Sequence, residues 1–160
     1  MRLQILAVGK MKAGPDNELY ARYADRIKKS GKVLGLNGPD LVEISESRKS
    51  NAQLRKAEEA SSLGDRIFSG ATIVLLDERG GDLSSGQFAE FLSSQQDKGS
   101  PALAFVIGGP DGHGQEIANR ANKKIRLGAM TWPHQLARVM LAEQLYRAIT
   151  ILSGHPYHRE

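Results

Sequence analysis

Residues 71–109 read "ATIVLLDERGGDLSSGQFAEFLSSQQDKGSPALAFVIGG", a strand, a helix and a strand in turn. Residues 71–78 form a strongly apolar run that ends in two acids, the pattern of a strand buried on both faces. A serine then stands where it can cap a helix, and Phe88, Phe91 and Leu92 fall on one face of that helix. Residues 102–109 are a second apolar run. Strands alternating with helices argue for a parallel α/β sheet.

The same alternation extends in both directions. Upstream are a strand at 3–9, a helix at 16–31 with a glycine stop, a strand at 41–45 and a helix at 51–67. Downstream are a helix near 115–121, a fifth strand at 123–130 and a long helix at 134–152. No repeat, low-complexity tract or linker interrupts them, so residues 1–160 read as a single domain. The absence of cysteine excludes disulfides, thiolate metal sites and a cysteine nucleophile. No segment approaches the roughly 20 apolar residues of a membrane span, and the short N-terminal apolar run lacks a small-residue cleavage site. A cytoplasmic protein with no membrane partner is expected. The net charge of +4 and pI of about 9.4 suit an anionic partner such as RNA, and equally an ordinary basic surface.

Ligands of such sheets bind where loops leave the C-terminal ends of strands. Three loops there are distinctive: "LLDERGGDLSS" (75–85), "IGGPDGHG" (107–114) and "LGAMTWPHQ" (127–135). The middle loop contains neither GxxxxGK nor a completed GxGxxG, so the P-loop and dinucleotide fingerprints fail. Gly108, Gly109, Gly112 and Gly114 leave two readings, a tight turn or a backbone that approaches a ligand closely. Pro133 falls in the expected first turn of the last helix and Thr131 can cap it. A proline-stiffened turn beside a glycine-rich one also forms a rigid slot for a flat ring. His113 and His134 share no HxxxH or HExxH spacing and Asp111 suits a turn, so no metal is expected.

The last helix is apolar nearly all round. Leu141, Leu145, Ala148, Ile149 and Leu152 form one face, and Leu136, Met140 and Ile151 another. One face then packs on the sheet and the other on a second subunit. Glu143 precedes Arg147 by four residues, the favourable order for an ion pair. Arg138 interrupts the apolar arc, and a buried arginine needs a partner or a ligand. The chain ends "SGHPYHRE" (153–160), where polar side chains capable of binding and proton transfer crowd a terminus.

Taken together, "FVIGGPDG" (105–112), "MTWPHQLARVMLAEQLYRA" (130–148) and "HPYHRE" (155–160) resemble the bacterial family of large-subunit (23S) ribosomal RNA pseudouridine N3-methyltransferases, of the SPOUT class. The resemblance covers the whole chain. It implies a SPOUT-type α/β knot: a mainly parallel sheet flanked by helices, with a C-terminal trefoil knot. Pattern reading alone does not propose a knot, since knots are nearly absent from proteins. It also implies S-adenosyl-L-methionine as cofactor, an obligate homodimer with the last helix in its interface, and 23S ribosomal RNA in the assembled ribosome as substrate. No DNA partner is implied. The family's cofactor contacts fall on Leu76, Gly109 and the stretch Gly128, Ala129, Met130, Thr131, Trp132 and Pro133. Gly128 and Ala129 depart mildly from the family's usual residues, and His113, at a position that varies, receives no role. A side chain at Gly109 is expected to occupy cofactor space.

Methylation of N3 requires loss of its proton, a grip on the carbonyl edges of the ring, and contacts to nearby phosphates. The tail supplies these types. Tyr157 can stack or donate, His155 and His158 can hydrogen-bond or accept a proton, and Arg159 can bind phosphate or carbonyl oxygen. His158, Tyr157, Arg159 and Arg147 are the expected catalytic group, with His158 preferred as base. Arg138, Glu143 and His155 are expected to bind substrate, Arg138 by reaching the neighbouring subunit's pocket. Other readings stand beside this one: a tail that is merely docked structure, a non-catalytic ribosome-binding module, or an enzyme for another RNA base.

Overall fold

The computed structural model, which describes residues 1–158, runs β1 (Arg2–Val8), α1 (Pro15–Gly31), β2 (Asn37–Ile44), α2 (Ala52–Gly64), β3 (Thr72–Gly81), α3 (Ser85–Asp97), β4 (Ala102–Ile107), α4 (Gln115–Arg120), β5 (Lys123–Ile125) and α5 (His134–Leu152). All five strands are parallel, in the order β2-β1-β4-β3-β5. β1 and β4 lie side by side within the sheet and are buried on both faces, which is why each reads as an apolar run.

Alternate side chains of β1 enter two separate cores. Leu3, Ile5 and Ala7 pack with Ile27 of α1, Leu92 of α3 and Leu145 of α5, while Leu6 and Val8 pack with Leu63 of α2 and Ile117 of α4. Three helices therefore cover one face and two the other. Gln4 is the polar exception, and its amide donates to the Arg66 carbonyl (2.7 Å) and accepts from the Phe68 N–H (3.3 Å). Both ends of this buried amide thus have a partner.

Several boundaries differ from the sequence reading. β2 begins at Asn37 rather than residue 41, because pairing with β1 continues to Arg2↔Asn37 past an irregularity. Asn51 caps α2 by accepting from Leu54 N–H (2.9 Å), and that helix stops at Gly64. Ser84 caps α3 in a capping box with Gln87. α5 keeps its expected range, but Pro133 itself occupies the cap position and no side chain, Thr131 included, bonds there. Thr131 lies two residues too early to do so. On α5, Val139, Leu141, Leu145 and Ile149 are buried, whereas Leu136 is exposed and Met140 and Ile151 are only partly covered. Among the described residues, the second apolar face is open at Leu136 and partly so at Met140, while Ile151 packs against the core.

The largest departure is β5, which leaves the sheet after Ile125 instead of continuing to residue 130. Its ladder with β3 shifts register beyond Leu76, and the Arg126 N–H bonds to the Gly81 carbonyl (3.1 Å). The Arg126 side chain then forks onto Asp82 (2.8 and 2.5 Å). At this crossing a Cβ on Gly80 would lie 2.5–2.7 Å from the backbone of Ile125. Strands so close that no side chain fits between them are consistent with the knotted path implied by the resemblance. Among the described residues, no helix is long and apolar enough to cross a membrane.

Candidate active site

The outer half of β3 and the loops after β4 and β5 line a cavity of about 410 Å³ at the C-terminal edge of the sheet. Leu76, Gly109, Gly128, Met130, Thr131 and Trp132 line it, while Ala129 and Pro133 belong to the same loop but not to the wall. Ile107, His113, Leu127 and Ala137 also line it, and the sequence reading gave none of them a role. Ala137 had a signal: it lies three residues after His134, another lining residue, and so shares its side of the helix.

Each loop is fixed by a specific contact. The Gly112 N–H bonds to the Gly109 carbonyl (2.9 Å), closing a turn in which Gly112 has φ +84°. Arg55 of α2 forks onto Asp111 (2.6 and 3.1 Å) and holds that carboxyl below the usual range. Trp132 Nε1 donates to the Leu127 carbonyl (3.0 Å), closing the third loop on itself. His113 Nε2 donates to the Leu76 carbonyl (2.8 Å). A carbonyl only accepts, so the ring hydrogen sits on Nε2 and Nδ1 is an acceptor, buried without a partner among the described residues. Burial pushes the His113 pKa down and keeps the ring neutral.

Gly109 corrects one expectation. A Cβ there would point at Glu59 (2.9 Å) and Val8 (3.1 Å), neither of which lines the cavity. Glycine is required for packing the loop on β1 and α2, and not to leave room for a ligand. His113 and His134 both line the cavity, but among the described residues no group of three or more His, Asp or Glu side chains is placed to hold a metal.

The tail builds a second cluster. Gly154, at φ +68°, ends α5, and the His155 N–H returns to the Thr150 carbonyl (2.9 Å). The chain then folds back along the helix. The Tyr157 hydroxyl donates to Glu143 Oε1 (3.1 Å), and its ring meets Tyr146 edge-on (4.8 Å) beneath the Arg147 guanidinium (5.0 Å). Arg147 donates from Nε and Nη2 to the same Glu143 oxygen (3.0 and 2.5 Å) and from Nη1 to His158 Nδ1 (3.3 Å). Glu143 Oε2 accepts from Gln144 (2.8 Å). Glu143 is therefore occupied in holding the tail. Burial first, then the Tyr23 hydroxyl and Glu143, raise the Tyr157 phenol well above its usual range, so it remains a donor. Tyr23 and Arg26 of α1 were not foreseen; Arg26 lies over the Tyr23 and Tyr146 rings (5.7 and 5.5 Å). His155 is exposed and, among the described residues, accepts only from the Tyr157 N–H (3.2 Å). Arg159 lies outside the described residues.

A family profile described as "Predicted SPOUT methyltransferase" matches residues 1–158. The chain belongs to the SPOUT methyltransferase family. It is similar to a protein of Brucella anthropi named "Ribosomal RNA large subunit methyltransferase H", with 52% identity over 159 residues that cover 99% of each chain. Proteins of the same name from Rhizobium leguminosarum bv. trifolii and Agrobacterium fabrum share 51% and 49% identity with the same coverage. The all-parallel sheet flanked by helices is the α/β architecture expected of such a chain.

In this SPOUT methyltransferase Arg138 does not do what its sequence context suggested. It is 1% exposed, with Nη1 on Glu43 Oε1 (2.5 Å) and Nη2 on the carbonyls of Val8 (2.7 Å) and Gly9 (2.8 Å). Its partner is in its own chain. Nη1 and Nη2 thus clamp the ends of β1 and β2 onto α5, while Nε is buried without a partner among the described residues.

Proposed function

We propose that this chain is an S-adenosyl-L-methionine-dependent methyltransferase that modifies N3 of a pseudouridine in large-subunit (23S) ribosomal RNA, acting as a homodimer. The observation that carries the reading is the cavity at the ends of β3, β4 and β5, walled by residues that match the family's cofactor contacts. Its volume lies in the usual range for small-molecule sites of about 300–1,000 Å³. Leu76, Ile107 and Trp132 offer apolar surface to a flat ring, and Asp77 and Glu78 on the wall offer negative charge to a cation. A nucleoside bearing a sulfonium fits that lining. When bound, S-adenosylmethionine supplies an electrophilic methyl group.

The chain's own residues position the reactants. His113 fixes the Leu76 carbonyl at the cavity wall, and the Trp132–Leu127 bond fixes the shape of the third loop. On the substrate side, the guanidinium of Arg147 can only donate, so His158 Nδ1 accepts and the hydrogen of the neutral ring sits on Nε2. His158 then presents a donor to a uracil carbonyl. It can act as base only where Nδ1 parts from Arg147. Tyr157, fixed as a phenol, supplies a stacking face. Arg159 and His155 are assigned to phosphate or carbonyl contacts, and Glu143 to support of the tail.

Cavity and tail lie apart in one chain. Ala137 and Glu143 are six residues apart on α5 and Ala137 and Arg147 ten, about 9 and 15 Å along the axis and on different sides of the helix. A methyl transfer needs contact at about 3 Å. This separation, with the open second face of α5, supports a site built from the cavity of one subunit and the tail of another. The test is transfer of labelled methyl to bacterial ribosomes that lack the modification, mapped by mass. One methyl at N3 of a pseudouridine is expected. Normal cofactor binding without transfer would make the chain a ribosome-binding module, and a methyl on another base would change the target.

A further inference from the structure

Because the sheet is wholly parallel, the loops after β1 and β2 open at the same edge as the cavity, and β1 adjoins β4, whose end carries the glycine-rich loop. The two loops touch. The Gly9 N–H bonds to the Ile44 carbonyl (2.8 Å), the Met11 N–H to Glu43 (2.9 Å), and a Cβ on Gly9 would lie 3.3 Å from Glu46. The second loop is tied to α2 through Ser47 N–H to Glu59 (2.9 Å) and Arg55 to the Lys49 carbonyl (3.2 Å). Arg55 continues to Asp111 in the wall of the cavity.

Along this path stand Lys10, Lys12 and Arg48, all exposed and none in an ion pair among the described residues. Lys49 reaches Glu58 only at 3.9 Å, and Lys56 lines the cavity itself. Residues 9–14 and 45–56 hold six Lys and Arg against a single acid, Glu46. Arg55 is matched by Asp111, but Lys10, Lys12 and Arg48 have no such partner among the described residues, and a polyanion laid across them gains their charge while releasing its own counterions. The far end of α1 carries Lys28, Lys29 and Lys32, but the length of that helix puts them about 25 Å away, toward the opposite edge of the sheet. There Lys29 is paired with Asp25 (2.7 Å).

We infer that Lys10, Lys12 and Arg48 form a phosphate-binding edge that holds the RNA backbone on its way into the cavity; this rests on the reading of the chain as an RNA methyltransferase. The edge positions RNA without reading its bases. Two charge-matched triple variants test it, Lys10→Ala/Lys12→Ala/Arg48→Ala and Lys28→Ala/Lys29→Ala/Lys32→Ala, with methyl transfer measured at varied ribosome and salt concentrations. The first should raise KM for ribosomes about tenfold or more and flatten the slope of log kcat/KM against log salt by about two. Its Kd for S-adenosylmethionine should stay within about twofold, and replacement of the same residues by the other basic residue (Lys→Arg and Arg→Lys) should restore KM, since a phosphate contact needs only the charge. The second triple should behave as wild type. Equal losses in both triples, no loss in the first, or weakened cofactor binding in the first would each overturn the inference. A wild-type protein that binds cofactor yet transfers nothing to ribosomes would instead remove the functional reading, and this inference with it.

Discussion

His113 donates to the Leu76 carbonyl and keeps Nδ1 buried, so a proton there places charge where burial opposes it. In the unfolded chain the ring titrates near about 6.5, and in the fold its pKa is lower. Between those values the unfolded state binds more protons, so stability rises with pH. The contribution is complete above about pH 6.5 and is lost as pH falls toward the folded value. Urea denaturation at about pH 7.5 and about pH 5.5 should show wild type losing stability on acidification and His113→Leu losing distinctly less. Equal losses would mean that His113 is not the titrating group. The sequence showed this residue in the glycine-rich loop but gave it no task, because its partner is a backbone carbonyl on another strand. Arg138 was half legible. Its apolar surroundings announced that it needed a partner, but Glu43 lies 95 residues earlier and nothing local points to it.

Helices and strands were legible where local pattern and tertiary burial agree. The capping box at Ser84 and the unbroken apolar runs of β1 and β4 are such places. β5 was not, since "KKIRLGAM" reads as a strand along its whole length. What stops it is remote: Gly81 and Asp82 take hold of Arg126 and turn the chain across the end of β3. That crossing makes a paired prediction about two adjacent glycines. Gly80→Ala would drive a Cβ into the backbone of Ile125 at 2.5–2.7 Å, and backbone cannot give way as a side-chain tip can. Gly81→Ala meets nothing within 4 Å. The first should cost about 3 kcal/mol or more and the second less than about 1, read from urea midpoints at equal m-values. Similar costs for both would show that the crossing is looser than its geometry indicates.

At the scale of the whole molecule, the cavity and the tail cluster were each marked in the sequence by dense motifs, but their separation was not. Periodicity places residues on a helix without saying which protomer supplies each half of a site. The Glu143–Arg147–Tyr157 contacts fix the tail against its own α5, well along that helix from Ala137 at the cavity. Under the proposed homodimer, a tail held there serves the cavity of another subunit, met across the face bearing Leu136 and Met140. A mixing experiment tests this with two defects, one confined to the cavity and one to the tail. Ala137→Phe places a ring in the cavity from a rigid helical position, and deletion of residues 157–160 removes the tail. Each homodimer should be inactive. In a heterodimer of the two, a shared arrangement gives one site with both defects and one with neither, so activity should return to up to half that of wild type. If each site were built from one chain, every site would carry one defect and mixing would restore nothing. Heterodimers isolated by two affinity tags and assayed for methyl transfer to ribosomes decide between these outcomes, and an inactive heterodimer that still binds one equivalent of cofactor would rule out the shared site while leaving the methyltransferase assignment in place.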